Sequence, residues 1–505
     1  MKLFFKNFKN IIYILPKNKK YQFYLTCFLL FLQSVLEVIS IGAILPIFLA
    51  ILEDKIIQKH DWAKFLYTRL NLSNANDLII ILSLLLLFLI ITKNIITIRI
   101  TKYRIDFALS IYKDIALTIH KKFYLKDYKS FKSHNTTKLW RDLHQAIYWF
   151  SLGQMIPSLI IINESIIFIL IISFLFYYNA TAVIILIFSV VPILYIATNL
   201  INKRTLILGE RKKEVDPIIL QNYGESIQGY IDIIITDTQK FFREKIKKYI
   251  EENKKIDSEL TVMNEMPTRI IEMALVLTIT VIVIYGIFSK METAELLALL
   301  GVVGLAGYRL SPTINRISIS LKSIAATNWT IKIILEYLSI KSQKGPNEDI
   351  IFNKSIILEN ISFSYNDHDK NIIDNLSIKI KKGSITGFIG ESGSGKTTLI
   401  NILLGLLTPT RGKILIDGYE LKNSQIINYR SKIGYVSQHL FMIDDSIARN
   451  VAFGVKDSLI NHEKLVHSLK LANLWEFVNS SKYGINTKVG ENGSNLSGGQ
   501  RQRVG

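Results

Sequence analysis

The sequence predicts a six-helix, all-α membrane domain followed by a soluble α/β domain. Three observations carry that expectation. The chain is 505 residues long, 49% hydrophobic and only 20% charged, with a mean hydropathy of +0.28, too apolar for a wholly soluble protein of this length. Six runs approach the roughly 20 apolar residues needed to cross a bilayer: Phe23–Ile51, Leu78–Ile98, Met155–Tyr178, Ala180–Leu200, Arg269–Phe288 and Ala294–Ile319. Beyond Leu338 the apolar runs become short, β-branched and separated by glycine turns, the pattern of a soluble α/β domain.

Composition removes other classes. Nine prolines and 26 glycines, set against so many apolar residues, exclude disorder, and a single cysteine, Cys27, excludes a disulfide scaffold. The net charge of +20 would suggest nucleic acid only on a soluble fold with a basic face. Here the basic residues flank spans, and no nucleic-acid partner is expected.

The elements follow in order. Residues 1–22 are basic, with Lys2, Lys6 and Lys9, but Ile11–Leu15 is too short for the apolar core of a signal peptide. They read as an amphipathic helix in the membrane interface, stopped by Pro16. Residues 23–338 hold the six spans. The N-terminal tail and the stretch from Arg99 to Lys132 are basic, whereas the 53–77 loop is balanced. Positive residues stay inside, so both termini are expected in the cytoplasm. The connections 99–150 and 201–268 are long and helix-patterned, which extends spans two and four into the cytosol. Residues 339–349, with Gly345 and Pro346, form a linker, and 350–505 form the α/β domain.

The strand-like run Ser384–Ile389 leads into Gly390-Glu391-Ser392-Gly393-Ser394-Gly395-Lys396-Thr397-Thr398, which fits G-x-x-x-x-G-K-[ST]. Glycines let successive backbone N–H groups curl round phosphates, the lysine reaches the β- and γ-phosphates, and the Thr397 hydroxyl ligates Mg²⁺. The following helix points its positive end at the same anion. Three more features accompany the loop: Tyr365, about 25 residues upstream; Gln438, after the strand-like Ile433–Val436; and Leu496-Ser497-Gly498-Gly499-Gln500. Alone, Tyr365 and Gln438 are as readily core or surface residues; the LSGGQ pattern downstream of a phosphate loop is specific.

On these motifs the chain resembles the ATP-binding cassette transporters of exporter type, along essentially its whole length. The resemblance implies ATP and Mg²⁺ as cofactors, Tyr365 stacking on adenine, Gly390–Thr397 as the Walker A loop and Gln438 positioning water and Mg²⁺. Ser497, Gly498, Gly499 and Gln500 become the signature that meets the γ-phosphate in trans, so a second copy or a homologous half-transporter is required. Segments near Lys126–Ser133 and Pro217–Ser226 become coupling helices. The resemblance also implies a Walker B aspartate, a catalytic glutamate, a D-loop and a switch histidine after the signature. The sequence stops at Gly505 before any of them. The expectation is therefore a fragment or interrupted frame, with an incomplete sheet and no positioned general base; an ATP-binding membrane protein without hydrolysis is the alternative.

Ionisable residues inside spans mark function by default. Arg309 and Arg316 are two helical turns apart on one face, Lys93 and Arg269 lie towards the ends of spans two and five, and Glu37 is an opposing charge. Guanidinium groups suit a phosphate- or diphosphate-bearing substrate; snorkelling to the interface is the simpler reading of Arg269 and Lys93. Within the family, Tyr308-Arg-Leu-x-Pro-x-x-Asn-Arg316, the region Lys488–Gln500 and a helix-like Asp61–Leu70 are similar to bacterial lipid-linked oligosaccharide flippases. That likeness implies translocation of a polyprenyl-diphosphate-linked glycan across a bacterial inner membrane. Lipid A, drug or peptide export is the alternative within the class.

Overall fold

The computed structural model describes residues 2–44, 46–47, 51, 61–69, 75–132, 136–178, 180–340, 348–365, 371–438 and 440–505. The chain forms two compact units, Met1–Ser342 and Gln343–Gly505. Parts of the expected first span, the 53–77 loop and most of the expected linker lie outside the described residues.

The first unit is helical. Helix α1 (Lys2–Ile14) is followed by α2 (Lys20–Gly42), α3 (Asp61–Arg69), α4 (Ala75–Phe123), α5 (Ile156–Tyr178), α6 (Ala180–Gln228), α7 (Gln239–Phe288), α8 (Thr293–Ala326) and α9 (Trp329–Ser339). Each of the six apolar runs has one of these helices over most of its described length. Among the described residues, four helical stretches are long and apolar enough to cross a membrane: 17–40, 76–123, 138–177 and 239–288.

Helix α1 buries Phe4, Asn7, Ile11 and Ile14 at helical spacing and exposes Phe5 and Tyr13, the two-faced pattern of an amphipathic segment. Its apolar face joins a core with Phe107 and Ile111 of α4, Phe150 and Met155, and Ile334 and Tyr337 of α9. The chain enters α5 through π-helical stretches, Arg141–Gln145 and Phe150–Met155. There Gly153 sits so close to the end of α8 that a Cβ would lie 2.5 Å from Thr327 Cγ2. Gln154, fully buried beside it, accepts from Asn7 at 3.3 Å and donates to Thr327 Oγ1 at 2.9 Å and to the Ile324 carbonyl at 2.7 Å.

The coupling helix implied near Pro217–Ser226 is not a separate element. Helix α6 runs through Pro192 and Pro217 to Gln228, and the reversal into α7 falls at 229–238, around the short helix Tyr230–Ile235. Segment 217–226 is therefore the interior of a long helix. A proline forfeits one backbone bond, but α6 is held along its length by α7 through a core of Leu208, Val215 and Ile256. A short helix does stand at Tyr128–Lys132, in the first connection.

The second unit contains a four-stranded antiparallel sheet in the order β2-β1-β3-β4, with β1 at Ser355–Phe363, β2 at Ile373–Lys381, β3 at Arg411–Ile416 and β4 at Tyr419–Glu420. Helix α10 (Lys396–Leu403) precedes β3. A helical part follows, with α11 (His462–Leu471), α12 (Trp475–Ser480) and α13 (Gly498–Val504) around its own core of Ile447, Leu465, Leu469, Val478, Val489 and Leu496. The two further strands expected at Ser384–Ile389 and Ile433–Val436 are not in the sheet. Ile385 and Ile389 are fully exposed, as are more than half of Tyr435 and Val436. Their β-branched composition favours extended backbone, but a strand exists only against a neighbour, and none is paired to them among the described residues.

Candidate functional site: a phosphate cradle and a buried cation cluster

The phosphate loop is shaped by two left-handed glycines, Gly393 (φ +87°) and Gly395 (φ +90°). Gly395 is required twice over: the conformation excludes side chains, and a Cβ would meet Ile372 Cγ2 at 3.1 Å and its carbonyl at 3.2 Å. Lys396 opens α10 and turns back over the loop, donating to the Gly390 and Glu391 carbonyls at 2.7 and 2.5 Å and to Ser394 Oγ at 3.4 Å. An ammonium held at the centre of a curled loop, with the N–H groups of a helix start and an exposed Thr397 beside it, suits a nucleotide polyphosphate with its metal ion. Thr398 is buried and anchors the helix instead.

The far end of α10 is pinned. Tyr429 Oη donates to the Leu403 carbonyl at 2.6 Å, and Arg430 donates to Gly405 O. Burial pushes the Tyr429 phenol up to about 12, so it stays a donor throughout the physiological range. Tyr365, half-buried, sets its ring edge-on to Phe363 with centroids 5.1 Å apart. Gln438 is exposed, just after the unpaired extended segment.

Ser497 caps α13 in a reciprocal box: its Oγ accepts from Gln500 N–H at 3.2 Å, and its own N–H donates to Gln500 Oε1 at 2.8 Å. Gly498 and Gly499 form the first turn. This segment packs on the helical core of the unit through Leu496 and Val504. The sequence residues thus divide into two sets, the cradle from 390 to 398 and the capped turn from 497 to 500.

In the helical unit, Glu37 of α2 lies 3.2 Å from Lys93 of α4 and 3.0 Å from Arg309 of α8, all three side chains no more than 15% exposed. Arg316 of α8 donates to Glu164 of α5 at 2.9 Å, and Thr313 donates to the other carboxylate oxygen at 2.9 Å. Arg104 of α4 lies within electrostatic range of both Glu164 and Arg316. Two groups result, Lys93 and Arg309 on Glu37, and Arg316, itself half open to solvent, with Arg104 near Glu164; together they set four cations against two carboxylates, a balance of +2. Arg269 is elsewhere: exposed on α7 and paired with Glu272, 3.1 Å away and one turn along.

Glu164 and Arg104 are members of this cluster that the sequence does not single out. The rule that marks Arg309 also reaches Glu164, the lone charge in the apolar stretch from Leu159 to Leu175. Lys93 also lines an apolar groove of about 480 Å³ between α2 and α4, with Leu36, Leu86, Leu89 and Ile96.

The ABC transporter family matches residues 373–505. The ATP-dependent lipid A-core flippase of Francisella tularensis subsp. holarctica (strain OSU18) is 29% identical over 321 residues, covering 62% of this chain and 52% of that protein. The protein of the same name from Vibrio parahaemolyticus is 23% identical over 354 residues, covering 70% and 60%. That from Ralstonia nicotianae is 40% identical over 147 residues, covering 29% and 25%. The chain therefore spans about half the length of the first of these relatives. Among solved structures, a bacterial Atm1-family ABC exporter with ATP bound superimposes with a TM-score of 0.72 at 17% identity, covering 93% of this chain and 82% of that one.

Proposed function

We propose, from the premise that this chain carries the ABC transporter domain on the fold of an ABC exporter, that it is one half of an ATP-driven exporter of an anionic, lipid-linked substrate. The observation that carries the substrate class is the cluster of four cations and two carboxylates on α2, α4, α5 and α8. Placing such charge among apolar helices is costly, and a net positive interior is matched by a phosphate or diphosphate group. Lipid A-core, which names the relatives, and a polyprenyl-diphosphate-linked oligosaccharide both belong to this class of phosphorylated glycolipid.

ATP and Mg²⁺ would be held by the loop Gly390–Thr397, with Lys396 on the β- and γ-phosphates and Thr397 on the metal; bound there, the nucleotide supplies phosphoryl-transfer free energy. Gln438 is assigned to metal and water positioning, and Tyr365 to the adenine. Ser497 to Gln500 would address the nucleotide of a second copy or of a homologous half-transporter. The reversal between α6 and α7 supports such a pairing, since Ile227, Tyr230, Ile231 and Ile235 stand exposed there, an apolar tip suited to docking on a nucleotide-binding unit. Both termini are assigned to the cytoplasm on the basic flanks of the spans, and residence in a bacterial inner membrane on the bacterial relatives.

The test separates nucleotide from substrate. Lys396→Ala is expected to weaken binding of a fluorescent ATP analogue at least about tenfold, the scale of a lost charged hydrogen bond; unchanged binding would remove the loop from the assignment. Titration of the chain in nanodiscs with a fluorescent lipid-linked oligosaccharide or labelled lipid A then compares the two glycolipids by binding. Binding of a neutral drug and of neither glycolipid would replace the substrate class.

A further inference from the structure

Glu37 already occupies the position that an incoming anion needs. Its carboxylate is shared by Lys93 at 3.2 Å and Arg309 at 3.0 Å, from three different helices, with only 11% of its side chain exposed. Arg309 is not fully engaged: its Nε has no partner among the described residues. A planar fork with one edge on a carboxylate and one orphaned N–H can accept a ligand with more acceptor oxygens than a carboxylate offers.

The second pair is built differently. Glu164 is 3% exposed and is tied by both Arg316 and the Thr313 hydroxyl, while Arg316 keeps half its surface open. Among the described residues Glu164 has a single salt-bridge partner, Arg316. Glu37 has two, so Lys93 holds it if Arg309 leaves. This asymmetry matters, since a buried carboxylate stripped of every cation is strongly disfavoured.

We propose that Glu37 is an internal counter-ion that hands Arg309 to the phosphate or diphosphate group of the substrate while retaining Lys93. Lys93 then contributes to anion binding without touching the anion. The inference rests on the anionic substrate class proposed above. It makes Glu37 the residue that sets the threshold of anion affinity: the ligand must displace a carboxylate already in place, which weakly charged amphiphiles cannot do.

The experiment titrates farnesyl diphosphate into the chain in phosphatidylcholine nanodiscs, with farnesol as the uncharged control. Glu37→Gln keeps the side-chain size, frees Arg309 and is expected to bind the diphosphate roughly tenfold tighter, with farnesol unaffected. Lys93→Met leaves Glu37 wholly to Arg309 and is expected to weaken binding. The double variant E37Q/K93M is expected to regain the tighter binding of E37Q. If Lys93 instead bound the diphosphate directly, the double variant would stay weak, and the hand-over would be wrong.

Glu37→Gln binding no tighter than wild type, at an unchanged unfolding temperature, also overturns it. If that variant does not fold, Glu37→Asp carries the test, because a shortened carboxylate keeps the charge but cannot span both cations; equal or weaker binding then counts against the proposal. The farnesol control and Arg309→Gln separate the two levels of argument. If wild type binds farnesyl diphosphate no better than farnesol, the anionic-substrate reading itself fails; if Arg309→Gln leaves binding of the diphosphate intact, the hand-over fails. If that variant weakens binding while E37Q does not strengthen it, only the role of Glu37 fails.

Discussion

The chain uses carboxylate–cation pairs in two settings, and the shorter pairs are the more solvated ones. Inside the bundle, Glu37 and Glu164 hold Lys93, Arg309 and Arg316 at 2.9 to 3.2 Å. On the α6/α7 hairpin, Arg204 reaches Glu259 at 2.6 Å, Arg211 reaches Glu252 at 2.6 Å, Lys245 reaches Glu225 at 2.7 Å, and Lys212 pairs with Asp257. Solvent separates the two sets. Glu164 is 3% exposed and Glu259 43%. The inner carboxylates have lost their water and depend on their partners; the outer ones trade a salt bridge for hydration at little net gain. The inner pairs thus fix which helices α8 can face, while the outer pairs mark the register of a hairpin whose stability comes from Leu208, Val215 and Ile256.

The largest effect that follows is at Glu164. Replacing it with alanine takes the nearby carboxylate from Arg104 and the acceptor from Thr313. It is expected to cost about 3–5 kcal/mol, read by denaturant unfolding of the purified protein in detergent. Arg211→Ala removes two ion pairs at once, to Glu252 and Glu214, yet is expected to leave the unfolding midpoint almost where it was, because both pairs face solvent. In 1 M salt the screening length falls to about 3 Å; any Arg211 effect should vanish there and the Glu164 effect persist. A Glu164→Ala protein as stable as Arg211→Ala would mean that the inner pairs are hydrated and the contrast false.

The same division between solvent and interior decides what the sequence can reveal. Apolar runs report their own environment, so the six expected spans coincide with helices over most of their described lengths, and Arg309 and Glu37 are conspicuous because a charge in such a run has no bland explanation. Glu164 escapes notice although the same rule picks it out. Pairing is not written locally. Ser384–Ile389 and Ile433–Val436 have strand composition, yet composition carries a preference for extended backbone and no information about a neighbour. The coupling helix expected near Pro217–Ser226 comes from the resemblance alone, and the packed face of α7 is what carries α6 unbroken through Pro217. The phosphate loop is legible to the residue, since Gly393 and Gly395 are needed for backbone angles that few residues adopt. The π-helical entry at Phe150–Met155, with Gln154 at its buried centre, has no local signature at all.

A third setting sharpens the contrast with the smallest change. Asp417 sits at φ +51° after β3 and accepts from the backbone N–H groups of Asn353, Lys354 and Ser355 at 2.6, 2.7 and 2.8 Å. Its anchors are main-chain dipoles rather than a salt bridge. These donors, the Ser355 N–H foremost, hold its carboxyl below the usual aspartate range. A depressed native value means stability that is present above the unfolded value of about 3.9 and lost as pH falls through the native one. Asp417→Asn isolates the charge, because asparagine also tolerates the left-handed backbone and keeps one acceptor oxygen. The variant is expected to be slightly less stable than wild type at neutral pH and to match it once pH falls below the native value, so that the acid limb of the second unit's stability profile flattens below about pH 4. Glu225, lowered on the hairpin by hydrogen bonds from Lys245 and Gln221, has the same sign of pH dependence. Salt tells them apart. Backbone donors at contact distance are hardly screened, so the acid limb of Asp417 should survive 1 M NaCl while that of Glu225 shrinks. Equal loss at both sites would place Asp417 with the hairpin pairs, as an ordinary surface charge.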